Sequence, residues 1–589
     1  MLVGFVGLAV VAAGCGTPDG GTTTVTYVAV TGGTIAVGLT EGPTGCNPNT
    51  LAGATAGTQT VLGGVLPSSF VVNEAGTPVA NPNLIVQSEL VNTKPQTIVY
   101  TLNPQAVWSD GVPIDAKDFI YAWQMQRGDP TTASSDVATI AGYRDIASVI
   151  GSKGGHTVTV RFKTPFADWQ SLFDNLMPAH VMQRVGWNPA CSTVDPAVDL
   201  SGGPFTIASV TPTTISLVRN PKWWGTPANV DGLSVHIASS TAQLTRWMRS
   251  GFVQVAQPGT VTPSFLTQVT GLPGVQSEVD NSATLLSLDM DSTATSKLPP
   301  DLRVAIALSL DRQSLVNSQV SWAVPGVIPA NSHLYIQGQT GYNPAPGPAP
   351  TTTIPVPTSS TSTTAIGAGG SVNFPVSAQP AQAAALATAS GLVRSAAAPL
   401  YRYAVGLPFT LNLVVDQGDP WAVAAAPLVH DQLVAAGFDT TVTMAATPAQ
   451  AGQMLAAGTA DLALIPRTFS PYLSQMLAWY TNSLGPAGAF GSQNWTGFDD
   501  PSFTQLLTTA SQQLNPNTAA NYYTQADSRL WQSMVSLPLY PEPTALAWSR
   551  TVGGVTPSPR STSLLWYAQD WAVRQPESTK NTTPTLPNQ

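Results

Sequence analysis

Charge is scarce in this chain: of 589 residues only 9% are Asp, Glu, Lys or Arg, where a soluble protein averages about 25%. The scarcity does not signal membrane spans, because no stretch of about 18 or more residues is continuously apolar; the uncharged runs are filled with Thr, Ser, Gly, Pro, Asn and Gln. Basic residues are the scarcer sign, 23 against 32 acidic, for a net charge of −9. They form no Lys/Arg cluster able to neutralise a row of phosphates, which argues against nucleic acid as a partner. No Gly-Lys dipeptide occurs, so a Walker A phosphate loop is excluded. The five histidines, His156, His180, His236, His333 and His430, are isolated, and neither an HExxH nor a cysteine pair at metal-ligand spacing is present. No metal and no other cofactor is therefore expected. A GxSxG elbow is also missing, and no residue is assigned a catalytic role; Asp110, Asp115 and Asp118 read as a turn and a helix N-terminus.

What is present begins with a short apolar run, Leu2 to Ala13, that ends in Ala12-Ala13-Gly14-Cys15 and is followed by a Gly/Thr-rich stretch. The run is too short to span a bilayer and reads as the core of a signal peptide, residues 1–14. The pattern resembles a lipobox, with Cys15 the lipidated first residue of the mature protein and 15–32 a flexible tether. Ala12 stands where Leu is usual, and no Lys or Arg precedes Lys94, so the start codon is expected to lie upstream. In an exported, oxidising setting Cys46 and Cys191 are expected to be bridged; the alternative is a pair of buried thiols.

Strand and helix signals alternate along the body. Thr34 to Leu39 reads as a buried strand entering a Gly/Pro/Asn loop, Glu41 to Thr50, of the kind that lines a cleft. Thr97–Leu102 and Thr157–Phe162 alternate as strands, and Asp115 caps a helix through Arg127. Between Arg312 and Arg394 there is no charged side chain. Within that span, 343–382 is Pro/Thr/Ser/Ala/Gly low-complexity sequence, expected to be a disordered surface loop, either a spacer or a site of O-glycosylation. An Ala-rich helix near Ala381–Ser390, strands Thr410–Val415 and Thr441–Met444, and a helix Trp421–Ala436 between them suggest a βαβ unit. The class is α/β or α+β, and 576–589 is a polar tail.

Four segments, in order, resemble the family 5 solute-binding proteins, the oligopeptide-, dipeptide- and nickel-binding components of ABC importers. They are Trp108-Ser109-Asp110-Gly111-Val112-Pro113-Ile114-Asp115-Ala116-Lys117-Asp118-Phe119; Gly202-Gly203-Pro204-Phe205 with Arg219-Asn220-Pro221-Lys222-Trp223-Trp224-Gly225; Asp301-Leu302-Arg303-Val304-Ala305-Ile306-Ala307-Leu308-Ser309-Leu310-Asp311-Arg312; and Asn494-Trp495-Thr496-Gly497-Phe498, with Leu537-Pro538-Leu539-Tyr540 after it. Most of these residues have structural roles, with Arg303 and Arg312 expected to pair with nearby carboxylates. The resemblance implies an α/β, two-lobed clamp of the periplasmic-binding-protein type (class II), with an extra subdomain inserted in the first lobe and hinge closure over a ligand. On that pattern lobe I is 33–60, 205–282 and 545–575, the inserted subdomain 61–204, and lobe II 283–544.

The resemblance further implies a monomeric, extracytoplasmic protein, lipid-anchored to the outer face of the cell membrane. It would bind a peptide or other small polar solute and pass it to ABC permease subunits. Peptide-binding members hold the ligand's ammonium with an acidic residue after a second-lobe strand. Here the strand Asp461–Ile465 is followed by Pro466-Arg467-Thr468-Phe469, and Arg467 in that place favours an anionic group. Trp495 and Phe498 would lie near that wall, and Asn47 on the loop after the first strand. Loss of the acidic clamp, low charge and the Pro/Thr/Ser insertion also fit a non-transporting lipoprotein of this fold that regulates or scaffolds cell-envelope glycolipid assembly.

Overall fold

The computed structural model describes residues 27–73, 76–129, 136–189, 199–337, 339, 342, 374–481, 493–556 and 563–576. Cys15, Cys191, most of the low-complexity segment and the polar tail from 577 lie outside them. A single ten-stranded sheet runs through both lobes. In spatial order its strands are Asp439–Ala445, Thr410–Asp416, Leu462–Thr468, Val275–Met290, Ser536–Ser549, Val255–Gln257, Thr34–Leu39, Gly232–Ile237, Thr214–Arg219 and Phe205–Val210. At one end Thr410–Asp416 pairs in parallel with Asp439–Ala445 and Leu462–Thr468; at the other Thr34–Leu39 pairs in parallel with Gly232–Ile237 and Val255–Gln257. Two long antiparallel strands in the middle, Val275–Met290 and Ser536–Ser549, join the halves. Their register runs from Val275 opposite Ser549 to Asn281 opposite Pro543, then shifts before Leu285 meets Pro541. A bulge therefore lies at Ser282–Thr284, and a second register shift follows between Leu286 and Ser287, irregularities of the kind that let a ladder bend.

The predicted βαβ unit forms. Asp419 caps Pro420–Ala436 through the Trp421 N–H, and Gly437 ends that helix in the left-handed region, which only a residue without Cβ adopts at little cost. The helix from Asp115 is Ala116–Gln126, with a capping box between Asp115 and Asp118. It packs on a four-stranded antiparallel sheet, in spatial order Ile85–Thr93, Gln96–Leu102, Thr157–Phe162 and Ile146–Ser152. The Trp108 motif proves to be the brace of this unit. Asp118 accepts from Trp108 Nε1, Asp115 N and Ala179 N, and burial raises its carboxyl to about 6.

Two expectations are corrected here. The helix Pro380–Ala389 takes in the last residues assigned to the low-complexity loop, because it packs Ala383, Leu386 and Ala387 into the hydrophobic core that holds Leu413, Val415 and Trp421; the part of that loop at 343–373 lies outside the described residues. Arg303 and Arg312 form no ion pair with a carboxylate among the described residues. Arg303 donates to Ser533 O and Leu298 O, and Arg312 to the carbonyls of Ala330, Pro538, Phe374 and Pro375. Five guanidinium N–H donors in a fixed fork can gather several chain segments at once, and Arg312 ties one connecting strand, at Pro538, to the loops that cover it.

Glu542 lies on that same connecting strand and is hydrogen-bonded to Asp419. Burial, and next the negative charge of Asp419, hold the Glu542 carboxyl well above the usual carboxylate range, and burial raises Asp419 as well. The folded protein thus keeps a proton that the unfolded chain releases, and stability falls as pH rises above the ordinary carboxylate range. Urea unfolding between about pH 5 and pH 8 should show this decline in the wild type and a flatter profile in Glu542→Gln. An equal slope in the two proteins would contradict the shared proton.

Candidate functional site

The parallel strands at both ends of the sheet direct their carboxyl ends toward one cleft, the position where open α/β sheets bind ligands. Thr34–Leu39 delivers Leu39 and Glu41, and Leu462–Thr468 delivers Thr468, Phe469 and Ser470. The connecting strands form the floor through the bulge, Ser282 to Thr284, and through Thr544. The cleft has two chambers, of about 640 and 460 Å³, that share Gln59, Ser171, Asp174, Thr468 and Gln475. Volumes of this size are typical of small-molecule sites. The lining is rich in amide and hydroxyl groups. Its charged members among the described residues are Glu41, Asp174 and Arg144.

Across the mouth, the segment Ala167–Gln170 is stitched to Tyr472, Ser474 and Ser511. Ala167 N donates to Ser511 O at 2.7 Å, Ser474 N to Asp168 Oδ2 at 2.8 Å, and the Tyr472 hydroxyl to Gln170 O at 2.9 Å. Burial raises the Asp168 carboxyl. The conformation described is thus one in which the two sides of the cleft touch.

Behind the shared wall the backbone is strained. Phe173 and Asn175 have φ of +61° and +45°, a left-handed conformation that costs a non-glycine residue about 1–2 kcal/mol. The surroundings impose it. The Phe173 ring is fully buried between Tyr100, Phe119 and Tyr143, its N–H donates to the Tyr143 hydroxyl, and its carbonyl accepts from Ser69 N. Asn175 Nδ2 donates to Gln59 Oε1, and Asn49 Nδ2 donates to Asn175 O. The residue held between them is Asp174, half-buried at the junction of the chambers.

The residues singled out from sequence fall elsewhere. The Arg467 side chain is 3% exposed and paired with Asp289, itself 0% exposed, and three aromatic rings, of Trp479, Tyr480 and Trp495, surround its guanidinium. Arg467 lies opposite Leu285 and Asp289 opposite Ala463, so the two charges share one face of the sheet, and that face is covered. The anion contact expected of Arg467 is corrected accordingly: its charge is neutralised inside the second lobe. Trp495 packs over Arg467 and over Gly452, where a Cβ would meet its ring at 2.0 Å. Phe498 is in the core, edge-on to Phe503. Asn47 is buried; it donates to Trp187 O and accepts from Asn49 N, shaping a loop whose next residues, Pro48 and Asn49, do line the cleft. Cys46 is disulfide-bonded, and Cys191 and Cys15 lie outside the described residues. Sequence reasoning missed Asp174, Arg144, Gln59 and Tyr472. Leu172-Phe173-Asp174-Asn175 carries no turn glycine or proline to mark it.

Comparison with known proteins agrees with this geometry. The profile of the family described as Bacterial extracellular solute-binding proteins, family 5 Middle, matches residues 81–491. The Oligopeptide-binding protein OppA of Mycobacterium tuberculosis is 27% identical over 317 residues, 53% of this chain and 52% of that protein. A second relative from that organism, named Probable monoacyl phosphatidylinositol tetramannoside-binding protein LpqW, is 31% identical over 240 residues, 39% of this chain and 37% of that protein. The chain therefore matches about half the length of the first and less of the second. Among solved structures, the Periplasmic EDTA-binding protein EppA has a TM-score of 0.78 at 24% identity, over 94% of this chain and 99% of that one, a likeness of fold.

Removing one member of a buried ion pair strands the other. Arg467→Met should lower unfolding stability by about 3–5 kcal/mol, and the added change Asp289→Leu should recover part of the loss. A double-mutant cycle in urea checks it, and additive losses would contradict the pairing.

Proposed function

The chain belongs to the bacterial extracellular solute-binding proteins of family 5, and from that premise we propose that it captures a peptide-like or other small polar solute outside the cell membrane. The observation that carries this reading is the two-chambered cleft, floored by the connecting strands and walled by both lobes. Its amide and hydroxyl lining suits a ligand rich in hydrogen-bonding groups. Lipid on Cys15 would hold the protein at the outer face of the membrane, and the loaded monomer would deliver its solute to ABC permease subunits. The division into lobe I (33–60, 205–282, 545–575), inserted subdomain (61–204) and lobe II (283–544) belongs to this proposal. So does the pairing of Cys46 with Cys191. Hinge bending would occur at the bulge.

The similarity to LpqW favours a second reading, a non-transporting lipoprotein that recognises an envelope glycolipid. Native mass spectrometry of the full chain, purified gently from its natural host, separates the two. A ladder of bound peptide masses is the expected result; a single lipid or glycan adduct would replace the first reading with the second.

A further inference from the structure

Asp174 is the acidic group that the fold presents to both chambers. One carboxylate oxygen, Oδ1, accepts from the Ser68 hydroxyl and from Asn175 N; the other takes no hydrogen bond from any described residue, and Asp174 has no ion pair among them. Burial works against its ionised form, and an opposite charge placed beside it would favour that form. No described residue supplies such a charge. Arg144 is the one basic residue among the described lining of the two chambers, and no ion pair joins it to Asp174. Glu41 adds a second negative charge to the larger chamber. The left-handed conformation of Phe173, just before Asp174, points the same way, because backbone strain maintained by dense packing tends to mark functional positions.

We propose that Asp174 receives a protonated amine of the captured solute, so that ligands of this cleft carry a free ammonium group. The inference rests on the reading of the cleft as a solute site and deepens it by naming the group recognised and the residue that recognises it. The contact comes from the inserted subdomain's side of the cleft, whereas the sequence alone directed attention to the second-lobe strand that carries Arg467. A Lys or N-terminal ammonium offers three donors to one carboxylate, and the unoccupied Asp174 oxygen is placed to accept one of them.

The test uses peptides from casein hydrolysate, as prepared and after complete amine acetylation, titrated against the full chain with its thermal unfolding as the readout. Acetylation removes ammonium groups and leaves arginine guanidinium and backbone amides intact. The proposal expects the untreated peptides to raise the melting temperature of the wild type and the acetylated peptides to need at least tenfold higher concentration for the same shift. Asp174→Asn, which keeps the acceptor for Ser68 and Asn175, should abolish that difference. The wild-type comparison needs no variant, so it stands whatever the substitution does to folding. Equal response to the two preparations, or a preference retained in Asp174→Asn, would overturn the role of Asp174 while leaving the cleft as a solute site. Failure of both preparations to shift the melting would overturn this proposal together with the peptide reading.

Discussion

The pairing of Val275–Met290 with Ser536–Ser549 is the constraint on which the rest depends. It makes one sheet of two α/β halves, so the carboxyl ends of their parallel strands must face each other across whatever space the connecting strands leave. The bulge at Ser282–Thr284 interrupts the ladder where the space opens and places three small polar or apolar residues at its floor. A hinge at this place would bend without breaking either half of the sheet, because the ladder is already interrupted there. The buried groups around the ribbon fit that view. Arg312 gathers carbonyls beneath Pro538, and Glu542 and Asp419 link the strand to the first turn of a second-lobe helix.

Low charge takes on a physical meaning in this setting. Several of the ionisable groups that remain are enclosed: Asp118, Asp289, Arg303, Arg312, Arg467 and Glu542 are all less than 9% exposed. Each is matched by a partner suited to its burial, whether indole and backbone donors for Asp118, carbonyls for the two arginines of the 301–312 motif, or an opposite charge for Arg467. Asp174 differs from these in its place: it lines both chambers of the cleft, with one carboxylate oxygen that accepts from no described residue.

The architecture was legible because its determinants are local. Asp115 as cap, the alternation of Gln96–Leu102 and the strand, helix, strand run from Thr410 announce themselves within a few residues of sequence, and the structure places them within a residue or two of the expected bounds. The site was far less legible, since its members come from the first strand's loop, the inserted subdomain and the second lobe, and no spacing joins them. Arg467 shows the difficulty at the scale of one residue. Strand side chains alternate faces, so Arg467 turns inward to Asp289 while Thr468, one position on, lines the cleft. Phe173 illustrates another limit: packing within an aromatic cluster holds its left-handed backbone, which a phenylalanine does not itself favour.

The central claim is that the two halves close on a solute about the bulged connecting strands. Small-angle X-ray scattering of the full chain, stripped of ligand by mild denaturation and refolding and then supplied with casein peptides, tests it most directly. The account predicts a smaller radius of gyration and a shorter maximum dimension on loading. Identical scattering from the stripped and loaded protein, at peptide concentrations that saturate binding, would contradict it.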